Sequence, residues 1–278
     1  MSLYILRTKV DQFSKKEVLD KIKRVLVLPL EKPCHLVTTN PEFVLEAQKN
    51  IKFRDIVNDS WLSVADGYGL RLAAKYLEIS KNKNNIFVKF FLGLKVAWWG
   101  FWHVDKKLDV IKDIVTGSDL VSEITELAHQ IKKEENIINK VFLLGGFGDV
   151  PEKAICSLKK QISSDLDIVG YNFETEDKIA KINESKATIL FVALSQPRAQ
   201  LWINENLSKM NLIKLVVGVG GSFDYLAGEV KRAPLKSRYH FEWLFRLFYQ
   251  PKRWKRIFRA VFVFPWLVFK KSITLDTK

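Results

Sequence analysis

The residue with the strongest claim to chemistry is Asp66, a carboxylate between the apolar run Ser63-Val64-Ala65 and the glycine-punctuated stretch Gly67-Tyr68-Gly69. In α/β chains, catalytic groups collect where a strand gives way to a loop. Asp-Gly is also an ordinary turn dipeptide, so the local stretch leaves both readings open. A second polar strand end precedes it. Cys34-His35-Leu36-Val37-Thr38-Thr39 reads as a buried strand ending in hydroxyls, and Asn40-Pro41 then starts a helix, with Asn as N-cap and Pro at the first helical position. If the two strands are parallel, Thr38 and Asp66 share the sheet edge at which doubly wound folds bind ligands.

Three later strand ends carry small or polar residues. Val141 to Leu144 ends at Gly145-Gly146, Ile189 to Leu194 ends in Ser195-Gln196-Pro197, and Lys214 to Val219 runs into Gly220-Gly221-Ser222-Phe223-Asp224. A strand, two glycines and a helix start suit close approach of backbone amides to a phosphate or ribose, although no GxGxxG spacing is present. Together the three ends describe a nucleotide-sized cleft. Asp224 either faces that cleft or caps a turn.

The cations lie elsewhere. The 278 residues carry a net charge of +14, and from 229 to 278 there are 13 Lys/Arg against 3 Asp/Glu, so about +10 of the charge sits in the last 50 residues. That balance calls for an anionic partner: a phosphorylated substrate, an acidic membrane surface or a nucleic acid. No nucleic-acid motif accompanies it, and nucleic-acid binding rests on charge alone. Within the tail, Arg246, Lys252, Arg253, Lys255, Arg256 and Arg259 alternate with aromatics, and Pro251 divides the stretch into two basic amphipathic pieces. Arg253 and Arg256, three apart, can face one anion together.

The elements that must position these residues alternate strand and helix. Tyr4-Ile5-Leu6 opens as a short strand, and Ser14 with Glu17 predicts a capping-box helix start. Strands follow at 34–39, 61–65, 141–144, 166–169, 189–194 and 214–219, with helices between them. The reading is α/β: a Rossmann-like, mostly parallel sheet with helices on both faces. Residues 1–228 form the nucleotide-binding catalytic core and 229–278 a basic amphipathic tail. An insert at about 81–108 interrupts the rhythm, with Phe87, Phe90, Phe91, Trp98, Trp99, Phe101 and Trp102 set among lysines. It is either a helix packed on the core or a segment at headgroup level. Cys34 and Cys156 give neither a disulfide framework nor metal-ligand spacing, and are expected to be reduced. Residues 1–24 mix charges with short apolar runs and predict no cleaved leader, and no clean transmembrane span is found.

In order along the chain, Val37-Thr38-Thr39-Asn40-Pro41-Glu42, Ala65-Asp66-Gly67-Tyr68-Gly69, Val141 to Gly146, Ala193 to Ile203, Val217 to Gly228 with Lys231-Arg232-Ala233-Pro234, and Glu242 to Arg256 resemble the WecG/TagA/CpsF glycosyltransferases. The resemblance implies transfer of a sugar, N-acetylmannosamine or its uronic acid, from a UDP-sugar to a polyprenyl-diphosphate-linked acceptor at the cytoplasmic face of the cell membrane. It implies Asp66 as general base with Thr38 beside it. Asn40, Gly145, Gly146, Ser195, Gln196, Gly220, Gly221 and Asp224 would be on the substrate side, and Arg246, Arg253 and Arg256 on the acceptor's diphosphate. It also implies no metal or other cofactor. The protein would be peripheral on an anionic membrane, with homo-oligomerisation open. Two departures, Ala199 where relatives carry glutamine and Ile114 where they carry arginine, motivate an alternative: an inert membrane-associated nucleotide-binding protein.

Overall fold

The structure, a computed structural model, describes residues 2–29, 32–102, 105–230, 242–249 and 251–274. The chain opens on strands β1 (Ser2–Ile5) and β2 (Thr8–Asp11), then helix α1 (Lys15–Val27), β3 (Cys34–Thr39), α2 (Pro41–Ala47), α3 (Ile51–Asp59), β4 (Leu62–Ala65), α4 (Tyr68–Ser80) and α5 (Ile86–Phe101). It continues through α6 (Gly117–Glu135), β5 (Val141–Gly145), α7 (Val150–Gln161), β6 (Ile168–Tyr171), α8 (Lys178–Glu184), β7 (Ile189–Ala193), α9 (Arg198–Asn206), β8 (Leu215–Gly218) and α10 (Ser222–Leu226). The tail contributes α11 (Glu242–Tyr249), α12 (Trp254–Phe258) and α13 (Phe264–Thr274), with a π-helical turn at Arg259–Val263 between the last two.

All eight strands form one sheet in the order β1-β2-β4-β3-β8-β7-β5-β6. Only β1 pairs antiparallel, with β2; every other neighbour is parallel. Parallel strands covered on both faces must be apolar throughout. In β5, Val141 and Leu143 pack under α1, α6 and α7, while Phe142 and Leu144 pack on the other side with Ile182 of α8 and Ile203 of α9. The strand's period of two thus feeds two separate cores.

Two strands differ from the sequence reading by more than one residue at an end. The opening strand is one arm of a hairpin whose turn residues, Leu6 and Arg7, have φ of 49° and 65°. The strand expected at 166–169 runs instead from Ile168 to Tyr171, in register with Val141 to Leu144. Ser14 does cap α1: its Oγ accepts from the Glu17 N–H at 3.2 Å, and Glu17 Oε2 accepts from the Ser14 N–H at 2.7 Å. Of the cysteines, Cys34 is buried in β3 and Cys156 is exposed on α7.

A further core joins the insert and the tail to the sheet's antiparallel end. Ile5 and Val10, Leu70 and Ala73 of α4, Val96 of α5, and Phe264 and Val268 of α13 form one buried cluster. Among the described residues, no helix is long and apolar enough to cross a membrane.

Candidate active site

Because seven strands run parallel, their C-terminal ends share one edge, and the polar strand ends arrive there in sheet order. On β3 and β4 the register places Thr38 opposite Val64 and Thr39 opposite Ala65. The Asp66 N–H then donates to Thr39 O at 2.6 Å, so Asp66 extends the ladder by one residue. Gly67, at φ +120°, takes the turn and stands as the N-cap of α4. The glycine turns the chain, and Asp66 stands where β4 ends.

The two threonines of β3 do different things. Thr39 Oγ1 and Ser63 Oγ lie 2.7 Å apart, and Ser63 Oγ donates to Lys9 O at 2.6 Å, a buried hydroxyl chain that ties β3, β4 and β2. Thr38 Oγ1 instead donates to Gly218 O at 3.3 Å, at the end of the neighbouring β8. Asn40 caps α2, its Oδ1 accepting from the Phe43 N–H at 3.1 Å.

Glutamines close this edge from the β7 side. Gln200 of α9 is 1 % exposed, and a Cβ added at Gly218 would lie 2.5 Å from its Nε2, so its amide rests directly on the β8 end. Its Oε1, and that of Gln196 at the β7 end, are buried without a hydrogen-bond partner among the described residues. Two orphaned amide oxygens favour a ligand bearing N–H or O–H groups. Ser195 is exposed beside them.

The glycines are not equivalent. At Gly145, φ is +123° and a Cβ would sit 2.5 Å from Ala193 O, so close approach of β5 to β7 accounts for it. Gly220 has open space around it, and Gly221 faces Asp224 Oδ2 and the Arg253 guanidinium. Burial raises the Asp224 pKa, Arg253 opposes that rise, and Glu229 adds to it. Between Asp66 and Gly145 lie four strand spacings, about 19 Å at ~4.8 Å each, so these two meet opposite ends of any shared ligand.

The tail reaches the same edge. Arg256 Nε donates to Glu42 Oε1 at 2.9 Å and Nη2 to Oε2 at 2.6 Å, two residues beyond Asn40. Arg253 faces Gly221 and Asp224, so the two arginines sit over different strand ends. The side chain of Arg246 lies outside the described residues, as do 231–234. Phe264 of α13 packs beside Gly69, where an added Cβ would come within 3.0 Å of Pro41 Cγ.

One element at the edge was not legible in the sequence. The N-terminus of the 19-residue α6 arrives there, because the Val115 N–H donates to Ala65 O at 2.8 Å and Gly117 abuts Val219 and Ser222. Thr116 is its N-cap, accepting from the Asp119 N–H. A Thr-x-x-Asp signal marks such a helix start, but only the crossover places it beside Asp66. Among the described residues, no three His, Cys, Asp or Glu side chains are grouped to hold a metal.

The family model described as "Glycosyl transferase WecG/TagA/CpsF family" matches residues 3–95 and 90–278. The chain belongs to the WecG/TagA/CpsF family of glycosyltransferases. It is 28 % identical over 238 residues to an N-acetylglucosaminyldiphosphoundecaprenol N-acetyl-beta-D-mannosaminyltransferase of Bacillus spizizenii, covering 83 % of this chain and 77 % of that protein. A protein of the same name from Staphylococcus aureus is 26 % identical over 259 residues, 92 % of this chain and 86 % of its own.

Proposed function

We propose that this glycosyltransferase moves an N-acetylmannosaminyl group from a UDP-sugar to a sugar hydroxyl of a polyprenyl-diphosphate-linked acceptor, with Asp66 as general base. The observation that carries the proposal is the placement of Asp66 directly after the last residue of β4, bonded through its N–H to Thr39, beside Thr38 at the ends of parallel strands. The names of the curated relatives support the sugar and the lipid-linked acceptor.

In the reaction the acceptor oxygen attacks the anomeric carbon. A new C–O bond forms there, the bond from that carbon to the UDP β-phosphate oxygen breaks, and the acceptor's proton passes to the Asp66 carboxylate. A base so placed contributes ~10²–10⁴-fold. UDP leaves with the bonding electrons, and its developing charge needs fixed donors. The α6 N-terminus, the backbone around Gly220-Gly221 and the tail arginines supply them. Arg253 faces the Gly221 end and Arg256 the Glu42 end, so donor and acceptor diphosphates can each meet a guanidinium. The orphaned oxygens of Gln196 and Gln200 suit the N-acetyl N–H and hydroxyls of the donor sugar.

A panel of labelled UDP-sugars offered with an N-acetylglucosaminyl-diphospholipid acceptor tests the reading. Label moving to the lipid from UDP-N-acetylmannosamine above the other sugars supports it. Nucleotide binding without transfer from any sugar would leave an inert nucleotide-binding protein instead.

A further inference from the structure

Helix α5 carries two stripes of opposite character. Lys89, Gly93, Val96 and Gly100, spaced four, three and four apart, face the protein: Gly93 lies against the ring of Tyr76, and a Cβ at Gly100 would come within 2.8 Å of Leu72 Cδ2. The glycines let α5 settle closely on α4, which fixes its rotation. Phe87, Phe91, Leu94, Trp98 and Phe101, again four, three, four and three apart, then face away, each 52–70 % exposed. At 1.5 Å per residue this outward stripe is about 21 Å long.

The tail carries a second outward stripe. Trp254, Phe258, Phe262 and Trp266 recur every four residues and are 51–63 % exposed. Ring contacts join the two. Trp266 lies 5.8 Å from Phe269, Phe269 lies 6.3 Å from Phe90 of α5, and Phe90 lies 5.8 Å from Phe91. A clamp holds the helices in this relation: the Lys89 ammonium, 2 % exposed, donates to Ser272 O in the last turn of α13, and the Tyr76 and Ser272 hydroxyls lie 2.8 Å apart. A cation at that helix end also complements its dipole.

The charges carried by these two stretches have one sign. Residues 81–102 hold four lysines and no carboxylate, and 251–274 hold seven Lys/Arg and no carboxylate. Lys95 and Lys107 lie 5.1 and 5.9 Å from the Trp99 ring. A second copy of this chain would set such a face against its own like charge, with no acid in either stretch to pair. Anionic headgroups above and acyl chains below match both features.

We propose that α5 and α12–α13 form one continuous face that docks on an anionic lipid bilayer, with α5 lying in the interface as an anchor in its own right alongside the tail. The face takes its purpose from the lipid-linked acceptor of the proposed reaction, but its binding is readable without turnover. Arg256 and the aromatics Trp254 and Phe258 belong to the same helix, so docking would hold the strand-end edge near lipid-borne substrate.

The test uses the full chain and vesicles of phosphatidylcholine with or without 30 % phosphatidylglycerol, read by flotation. The wild-type chain should float with the anionic vesicles and less with the neutral ones. The variant F87S/F91S/W98S should lose about tenfold or more in partitioning. A control with equally exposed apolar residues far from the face, I138S/L212S, should float as wild type. Circular dichroism and thermal midpoints of both variants should match wild type, since every altered side chain is exposed. On a short-chain, water-soluble acceptor the α5 variant should keep wild-type turnover. Unchanged partitioning of the α5 variant overturns the proposal, as does absence of vesicle binding with a concentration-dependent dimer that the variant abolishes. If no UDP-sugar is turned over but flotation behaves as stated, the catalytic reading fails and the docking face stands.

Discussion

Arg256 of α12 holds the Glu42 carboxylate in a two-pronged pair, Nε to Oε1 at 2.9 Å and Nη2 to Oε2 at 2.6 Å, across 214 residues of chain. Glu42 is in the first turn of α2, two residues after the Asn40 cap, so the pair pins the tail to the end of β3. Planar matching of guanidinium to carboxylate fixes orientation as well as position. The pair is partly exposed and its worth to stability is therefore small, about 0.5–1 kcal/mol. Its larger consequence is where it leaves the guanidinium.

Glu42→Gln keeps one acceptor but loses the charge and the fork. Urea midpoints should move little. The acceptor KM should rise roughly fivefold, the equivalent of ~1 kcal/mol, with a smaller change in kcat. Steady-state kinetics against acceptor concentration check this, and an unchanged KM would mean that the pair serves only to tie down the tail.

At Gly145 the demand is steric and conformational at once. An added Cβ meets Ala193 O at 2.5 Å, and φ is +123°. Gly145→Ala should cost on the order of 2–3 kcal/mol, by strain at β5 and by parting of β5 from β7. Urea unfolding measures it. Gly220→Ala, at φ +55° in the left-handed α region and with open space around it, should cost less.

His35 sets an acid limit on stability. It is buried in β3, its Nε2 has no hydrogen-bond partner among the described residues, and burial lowers its pKa from 6.5 to about 4. The folded state keeps the ring neutral, while the unfolded chain takes up a proton once pH falls below 6.5. Stability linked to His35 is therefore intact above pH 6.5 and is lost as pH falls from 6.5 towards 4, by on the order of 3 kcal/mol in all. Relative to His35→Val, wild type should lose unfolding free energy on the order of 3 kcal/mol across that range. Parallel profiles would contradict the assignment.

How far the sequence could be read depended on whether a feature was local. Asp66, Thr38 and the glycine ends were legible because a parallel sheet sends every strand end to one edge, and alternating apolar runs locate those ends. The β1–β2 hairpin was missed because its turn is made by Leu6 and Arg7, both at positive φ, where Asn-Gly is the usual signal. Strand β6 is displaced because Leu166 is buried and apolar but belongs to the approach, while pairing with β5 starts only at Ile168. The insert's aromatics were visible, but whether they faced in or out depended on Gly93 and Gly100 meeting α4. The Glu42–Arg256 pair and the place of the α6 N-terminus beside Asp66 were invisible, since each joins distant segments through the tertiary fold.

The most direct test of the account is turnover by Asp66→Asn, assayed beside wild type with labelled UDP-N-acetylmannosamine and an N-acetylglucosaminyl-diphospholipid acceptor. The amide is nearly isosteric and leaves the Asp66 N–H bond to Thr39 in place, so the variant should fold and bind UDP as wild type does. It cannot accept the acceptor's proton, and kcat should fall ~10²–10⁴-fold. Wild-type turnover by Asp66→Asn would contradict the assignment of the base, and with it the chemistry proposed for this edge.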